Sequence, residues 1–354
     1  MIFPSNNAYR IIIPKPERHG GSAVSERMTA RKGRPLKKVL LCALMLLAGS
    51  APADEKTEWP DIGLALGSGG AGGLAHIAML EVFEDLSVQP TMISGTSIGA
   101  IVGVLYAAGM DSSEIQTLFA EFGESALNPF DALGGGGGGV SWTDLVELDF
   151  ANGSVIDADG FLDFVGERIE ARSFSDLAIP VQVVATDYWT GEAVVMEDGD
   201  LFLAIKASMA VPGLFAPVAD GDRLLIDGGA SNPLPWGLVK DQELVVAIDV
   251  TGIRTPSPDG PPDLSELLFK TFEIMQQSII TQTLTADRPD LYIKPDLEGV
   301  RLLHFDRVDE VVDQARPAAE ALCEGLLEAQ SAWAGNRAQT ADGSTNSEED
   351  PTHE

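Results

Sequence analysis

Ser97 lies at the centre of the segment GTSIG, residues 95–99, which matches the pattern G-x-S-x-G. In that pattern a strand enters a sharp turn, the serine occupies its apex and a helix begins at once. Gly95 and Gly99 then avoid the clashes that a Cβ would cause in the crowded turn. The hydroxyl stands at a helix N-terminus, where free N–H groups and the helix dipole stabilise a developing anion. The pattern indicates a nucleophile for acyl transfer, and a simple turn of small residues is the alternative.

A serine nucleophile needs a base, and the sequence offers two kinds. Asp227 ends a short apolar strand and precedes Gly228 and Gly229, which indicates a carboxylate in a tight turn. In a partly dry pocket its pKa would rise and it could take the serine proton directly, although an ordinary Asp-Gly turn is the alternative. Among the histidines, His304 follows the serine and several aspartates in the order of an α/β-hydrolase triad. His76 is instead expected to pack or hydrogen-bond beneath the preceding loop.

That loop is the glycine-rich segment 67–73, GSGGAGG, between an apolar strand and a helix. Such a loop cradles an anion with its backbone N–H groups. Gly67, Gly69 and Gly72 also match the dinucleotide-binding pattern G-x-G-x-x-G. That pattern requires an acidic residue at the end of the next strand, where this chain has ISG, residues 93–95. The nucleotide interpretation is weaker for that reason.

The elements that must position these residues alternate between short apolar segments and helices. This alternation is typical of an α/β fold with a largely parallel sheet covered on both faces. The sequence shows no repeat and no second domain. The predicted strands are 61–66, 88–95, 179–186 with a hairpin partner at 191–196, 223–226, 244–250, and a final pair at 291–293 and 300–304. The predicted helices are 74–86, 98–108, 111–122, 157–172, 200–209, 264–285 and 309–332.

Residues 124–155 differ from the rest of the chain, since they contain a run of glycines from Gly134 to Gly139. Phe130, Trp142 and Leu145 lie close to that run. A surface insertion is the favoured interpretation. The functional alternative is a mobile flap over an apolar site, with the glycines as its hinge and the aromatic side chains in contact with lipid.

The composition is that of a globular protein, with 45% hydrophobic residues, 37 glycines and 21 prolines. The formal net charge is −31, which excludes nucleic acid as a partner and repels anionic membrane surfaces. We interpret this charge as an adaptation to a saline medium, in which counterions screen the repulsion. Cys42 lies in a segment that we expect to be removed, which leaves Cys323 without a partner for a disulfide or a thiolate metal site.

Residues 28–53 have the pattern of a signal peptide. A basic segment precedes an apolar run from Val39 to Ala48, and residues 51–53, APA, form a cleavage motif. The sequence therefore predicts a leader at 1–53 with its true start at Met28, and export to the periplasm or secretion. It also predicts a catalytic domain at 54–334 and a disordered acidic tail at 335–354.

Four sequence blocks resemble the patatin-like phospholipase family, especially its bacterial branch related to the neuropathy target esterase catalytic domain. They are LALGSGGAGGLAHIAML, SGTSIGAIVGVLYAAG, KASMAVPGLFAPV and LLIDGGASNPLP, in the order and with the spacing of the family. Four ordered blocks are far more specific than any single one, and the similarity covers roughly residues 61–330. The resemblance implies a three-layer α/β/α fold and ester hydrolysis on lipids by a Ser–Asp dyad, without histidine and without a metal or organic cofactor.

Carried over to this chain, the resemblance implies that Ser97 is the nucleophile and Asp227 the base. Oxyanion N–H groups would come from Gly69 and Gly70, and the loop would be shaped by Gly67 and Ala71. The glycines that support the two turns would be Gly95, Gly99, Gly228 and Gly229.

One position departs from the family pattern, because the family usually has Lys or Arg where this chain has Gly72. Without that cation the loop amides and the helix dipole act alone, which bears on rate and head-group preference more than on mechanism. The predicted function is a serine lipid acyl hydrolase of the phospholipase A, lysophospholipase or esterase type. An acyltransferase with the same dyad and a catalytically weak lipid-binding module are the alternatives. The expected partners are a lipid or acyl-ester substrate and, transiently, a membrane surface.

Overall fold

The computed structural model describes residues 10–12, 57–124, 158–252, 264–300, 302 and 304–344. The signal peptide, the glycine run 134–139 with its flap interpretation, and Cys42 lie outside the described residues.

Nine strands of the described residues form one sheet. They are β1 (Arg10–Ile12), β2 (Ile62–Leu66), β3 (Met92–Thr96), β4 (Val181–Asp187), β5 (Ala193–Met196), β6 (Val218–Asp220), β7 (Arg223–Asp227), β8 (Leu244–Ile248) and β9 (Leu291–Ile293). Their order is β1-β9-β8-β2-β3-β4-β7-β6, and β5 pairs with β4. Along that order, every neighbouring pair from β1 through β9, β8, β2 and β3 to β4 is parallel. The pairs β4–β5, β4–β7 and β7–β6 are antiparallel. The predicted, largely parallel sheet is confirmed.

Helices cover both faces of this sheet. They are α1 (Ala75–Asp85), α2 (Ile98–Ala107), α3 (Ser112–Glu124), α4 (Asp159–Gly166), α5 (Leu201–Ser208), α6 (Leu264–Ala286) and α7 (Val308–Ser344). Successive side chains of a strand point to opposite faces, and Leu64 and Leu66 accordingly join the core beneath α1 and α7. Ala65, between them, joins a second core with Trp236 and with Ile280 of α6. The three-layer α/β/α arrangement follows.

Local signals explain where two of the helices begin. Before α3, Asp111 Oδ1 accepts the Glu114 N–H at 2.8 Å and Glu114 Oε2 accepts the Asp111 N–H at 3.0 Å, which is a reciprocal capping box. Before α5, Asp200 Oδ1 accepts the N–H groups of Phe202 and Leu203 at 2.9 and 3.0 Å.

Three predicted element boundaries are corrected. β3 begins at Met92 instead of residue 88, because the Val88 N–H still closes the end of α1 by donating to the Phe83 carbonyl at 2.9 Å. α4 ends at Gly166 instead of near residue 172. The strand predicted at 300–304 is wrong, since Leu302 lies in a turn and its carbonyl accepts the Ala71 N–H at 2.8 Å. Leu302 packs on the glycine loop, and none of the described residues of this segment pairs with β9.

The C-terminal end of the chain differs from expectation, and a short strand lies within the predicted leader. α7 runs to Ser344, so the predicted disordered tail does not begin at residue 335. Its last turns are held by Arg337, which pairs with Glu58 at 3.2 Å and lies over the Trp333 ring. β1, within the predicted leader, adds an edge strand to β9 because its short β-branched run suits an open parallel edge. Among the described residues, none of the helices is long and apolar enough to cross a membrane.

Candidate active site

Ser97 occupies the turn between β3 and α2 in a strained backbone conformation. Its φ and ψ are 56° and −122°, a region that residues with a Cβ rarely adopt. The turn is packed against the backbone of β2, because a Cβ on Gly99 would lie 2.2 Å from the Leu66 carbonyl oxygen. A Cβ on Gly95 would similarly lie 2.6 Å from Ala100 Cα. This close packing explains why glycine flanks the serine on both sides, and strain of this kind is typical of functional sites.

Backbone hydrogen bonds fix both ends of the glycine loop, whereas the N–H groups in its middle are not used in this way within the described part of the chain. The Gly67 N–H donates to the Ile248 carbonyl at 3.0 Å, and the Ala71 N–H donates to the Leu302 carbonyl. The N–H groups of Gly69 and Gly70 donate to no acceptor among the described residues. Gly70 has a φ of 54°, which turns the backbone sharply at this point. The loop therefore leaves two adjacent N–H groups available to an anion, while Ala71 contributes to its anchorage.

Asp227 ends β7 and is fully buried. Its Oδ1 accepts the Gly229 N–H at 2.6 Å, and its Oδ2 has no partner of ordinary hydrogen-bond geometry among the described residues. Burial raises the pKa of Asp227 to about 7, against the opposing stabilisation by the Ser97 hydroxyl and the Gly229 N–H. The carboxylate is thus close enough to interact with Ser97, and catalytic hydrogen bonds of this kind often tighten only when substrate is bound.

The turn after Asp227 packs as closely as the serine turn. A Cβ on Gly228 would lie 2.2 Å from the Val184 carbonyl oxygen of β4. Thr186 Oγ1 of the same strand donates to the Asp227 carbonyl at 2.9 Å. Both the Ser97 turn and the Asp227 turn are therefore built against the neighbouring strands of the sheet.

The end of α5 connects the serine to the aspartate. The Ser208 hydroxyl accepts the Ser97 N–H at 2.8 Å and donates to the Val184 carbonyl at 2.6 Å. Two residues later, the Ala210 carbonyl accepts the Asp227 N–H at 2.9 Å. Sequence reasoning recognised the block KASMAVPGLFAPV only as a family motif. Its physical role here is to fix the backbones of both residues.

The two internal histidines lie in different surroundings. His76 is fully buried beneath the glycine loop, as expected, and its Nε2 donates to the Gly67 carbonyl at 2.9 Å. Burial lowers the pKa of His76 to about 4, so the ring is neutral at pH 7. His304 is half-buried, and its Nδ1 lies 3.4 Å from the Arg307 guanidinium.

Two buried polar side chains near the glycine loop, Gln276 and Asp249, were missed by sequence reasoning. Gln276 of α6 donates to Ser68 Oγ at 3.0 Å. Asp249, at the end of β8, accepts a hydrogen bond from the Tyr292 hydroxyl and pairs with Lys294 at 2.7 Å. No group of three or more His, Cys, Asp or Glu side chains within the described residues is arranged to hold a metal ion.

Comparison with known proteins places this site in a family. Residues 64–240, half of the chain, match the family model described as patatin-like phospholipase. The chain belongs to the patatin-like phospholipase family. The match includes the glycine loop, the Ser97 turn and Asp227, so the resemblance carried by the four sequence blocks is confirmed.

Several known proteins are similar to this chain. An uncharacterized NTE family protein of Mycobacterium bovis (strain ATCC BAA-935 / AF2122/97) is 32% identical over 209 residues, which cover 58% of this chain and 54% of that protein. Patatin-like phospholipase domain-containing protein 6 of Mus musculus is 30% identical over 282 residues, 71% of this chain and 20% of that protein. This chain thus spans about half the length of the mycobacterial relative. The crystal structure of VipD from Legionella pneumophila matches with a TM-score of 0.40 and 13% identity, covering 80% of this chain and 72% of VipD.

Proposed function

We propose that this protein is a serine lipid acyl hydrolase that uses Ser97 as nucleophile and Asp227 as base. One observation carries the proposal: a fully buried aspartate and a serine on a strained turn are both fixed by the end of α5, through Ser208 and Ala210. Burial raises the pKa of this aspartate, and the Ser97 hydroxyl acts in the opposite direction. A carboxylate with a pKa near 7 is a far better proton acceptor at neutral pH than an ordinary aspartate. Membership of the patatin-like phospholipase family supports a lipid ester as substrate.

The proposed reaction has two steps. Asp227 takes the Ser97 proton while Oγ attacks the ester carbonyl, and collapse of the tetrahedral intermediate releases the alcohol with that proton and leaves an acyl-serine. Asp227 then removes a proton from water as the water attacks the acyl-serine, and it returns that proton to Ser97 Oγ when the fatty acid leaves. The N–H groups of Gly69 and Gly70 stabilise the oxyanion in both steps. Loss of one such donor typically costs about 10²–10³-fold in rate.

The proposal is tested by hydrolysis of a short-chain p-nitrophenyl ester by the full chain. Ser97→Ala and Asp227→Asn should each lower kcat by about 10⁴-fold or more, since each removes one member of a unit that acts together. Circular dichroism checks that both variants are folded. Full activity in either folded variant would reject the dyad.

Two further experiments separate the alternatives. In an α/β-hydrolase triad His304→Ala would abolish activity, whereas the proposed dyad predicts at most a modest loss. An acyltransferase would form a new ester when an alcohol acceptor is added, whereas the hydrolase releases free fatty acid alone. A lipid-binding module would bind lipid and turn over no ester.

We also propose that the enzyme works at an electrically neutral lipid surface. Four large apolar side chains of α6 are at least half exposed: Leu267, Leu268, Ile274 and Met275. From residue 267 onwards α6 carries one Lys and one Glu, Lys270 and Glu273, and these pair at 2.9 Å. Tyr188 and Trp189, 54% and 71% exposed, follow β4 at the edge of the sheet where β3 ends in the Ser97 turn. These two apolar features flank the candidate site in an otherwise acidic protein.

Flotation with phosphatidylcholine vesicles tests this surface without turnover when the Ser97→Ala variant is used. Replacement of Leu268 and Met275 by Gln should weaken binding while the same changes in the active chain preserve hydrolysis of the soluble ester. Unchanged vesicle binding would reject the surface.

Export remains a proposal drawn from the leader sequence. Expression of the full gene product in a bacterium should yield a periplasmic or secreted protein. N-terminal sequencing of that protein should begin near Asp54, and retention of Met28 would contradict the proposed cleavage.

A further inference from the structure

Gln276 is buried on a helix whose neighbouring side chains are largely exposed. It is 3% exposed, whereas Met275 beside it is 53% exposed. Its Nε2 donates to Ser68 Oγ at 3.0 Å, and Ser68 lies in the glycine loop. Burying an amide is costly unless it is hydrogen-bonded. The contact therefore joins α6 to the loop whose N–H groups are the candidate oxyanion donors.

A second contact joins Gln276 to the turn that holds Asp227. A Cβ on Gly229 would lie 2.0 Å from Gln276 Nε2, 2.8 Å from Asp227 Oδ1 and 3.0 Å from Ser68 Oγ. Gln276 Nε2, Asp227 Oδ1 and Ser68 Oγ thus surround the position that a Cβ of residue 229 would occupy. They can approach so closely because residue 229 is glycine. Gly229 also donates its N–H to Asp227, so the glutamine amide packs directly on the residue that orients the carboxylate.

We propose that Gln276 is a positioning residue that holds the glycine loop and the Asp227 turn at a fixed separation. The Ser68 N–H is already donated to the Pro233 carbonyl at 2.8 Å. The Gln276 amide holds the Ser68 hydroxyl, so the backbone and the side chain of Ser68 are both fixed. This inference rests on the proposed function, since the separation matters only if both groups act on one ester. A shift of the loop would impair the transition state more than substrate binding, and small displacements can cost up to about 10²-fold.

The first test compares Gln276→Leu with Gln282→Leu, a change at an exposed glutamine of the same helix. We expect Gln276→Leu to lower kcat on the soluble ester by about 10- to 100-fold with little change in KM. The control should match the parent. Gln276→Glu keeps the shape of the side chain but places a negative charge beside Asp227, and a like charge raises a carboxyl pKa. Its pH–rate profile should therefore shift to higher pH, whereas a purely structural role would leave the profile in place.

The second test is a double-mutant cycle of Gln276→Leu and Ser68→Ala followed by thermal unfolding. We expect the double variant to lose less stability than the two single changes together, because both remove the same hydrogen bond. This readout does not depend on turnover. Losses of stability that simply add would contradict the hydrogen bond between Gln276 and Ser68.

If the Gln276 variants keep the parental kcat and pH profile while Ser97→Ala is inactive, the positioning role is rejected and the proposed function stands. A parent without esterase activity would instead reject the proposed function, and the positioning role with it. If Gln276→Leu does not fold, the glutamate variant decides through its pH profile.

Discussion

Asp227 combines complete burial with a single backbone hydrogen bond to Oδ1, and that combination sets its chemistry. Removal from water disfavours the charged form, whereas the Ser97 hydroxyl and the Gly229 N–H favour it. The result is a carboxyl group with a pKa of about 7, compared with 3.8 for an ordinary aspartate. Such a group is half ionised near neutral pH, which suits an acceptor of the serine proton.

The rate of ester hydrolysis should report this pKa. Only the ionised carboxylate accepts a proton, so kcat/KM should fall about tenfold per pH unit below pH 7. The measurement is kcat/KM on a soluble ester from pH 5 to 9. His304→Ala serves as the control and should keep the same acidic limb. A rate that stays constant down to pH 5 would contradict Asp227 as the base.

The same pKa predicts how stability depends on pH. Between pH 3.8 and about 7 the unfolded carboxyl is ionised while the folded one is protonated, so unfolding releases a proton and stability falls as pH rises. The shift of about three units corresponds to roughly 4 kcal/mol. Asp227→Asn is neutral at every pH and retains an acceptor for the Gly229 N–H. It should be more stable than the parent above pH 7 and show little gain at pH 4.

Denaturant unfolding at pH 4 and pH 8 measures this difference. Asp222→Asn, at an exposed position, serves as the control; it retains Asp227 and should show the same pH dependence of stability as the parent. Equal stability of parent and Asp227→Asn at pH 8 would contradict the raised pKa.

At the scale of elements, close packing of a turn against a strand decides whether a glycine can be replaced by alanine without loss of stability. A Cβ on Gly99 would meet the Leu66 carbonyl at 2.2 Å, and a strand backbone cannot move away. Gly99→Ala should therefore lower the free energy of unfolding by several kcal/mol, in the manner of an overpacked core. Gly335→Ala in α7 meets nothing within 4 Å and should raise it by about 0.5–1 kcal/mol. Denaturant unfolding measures both, and a stable Gly99→Ala would show that the turn can open.

Most elements were predictable because their signals are local. The apolar run of β2, the capping residues of α3 and α5, and the pattern around Ser97 each identify an element within a few residues. Gln276 was not predicted, because its partners Ser68 and Gly229 are distant in sequence. A signal existed, since Gln276 interrupts an apolar stripe that continues with Ile280 on the same face of α6. The turn at Leu302 was missed because its apolar neighbours resemble a strand, whereas contact with the loop decides its conformation.

At the scale of the whole molecule, the main feature is the excess of acidic over basic residues. With a net charge of −31, repulsion among acidic groups opposes the folded state. Salt at molar concentration shortens the Debye length to about 3 Å and screens that repulsion. The Tm should therefore rise between low salt and molar NaCl. Sucrose, which is uncharged, serves as the control for general stabilisation by excluded solutes. A Tm that does not change with NaCl would reject the saline interpretation.

The family and the three-layer fold could be predicted from the sequence, because four ordered blocks recur with fixed spacing. The ends of the chain could not. Polar residues after 334 suggested a free tail, but the contacts of Arg337 with Glu58 and Trp333 extend α7 to Ser344. The Arg337–Glu58 contact joins distant parts of the chain, so no local pattern reports it.

The exposure of Trp189 gives the molecule an intrinsic optical reporter. Its indole, just after the end of β4, is 71% exposed, whereas Trp236 is 3% exposed in the core. A water-soluble quencher will reach the first ring and not the second. Because the chain has five tryptophans, the Trp189 signal is the difference between the parent and Trp189→Phe. When lipid replaces water around Trp189, its emission will move to shorter wavelength and become protected from the quencher. Trp189→Phe will lose that signal, and binding to an interface becomes visible without any attached dye.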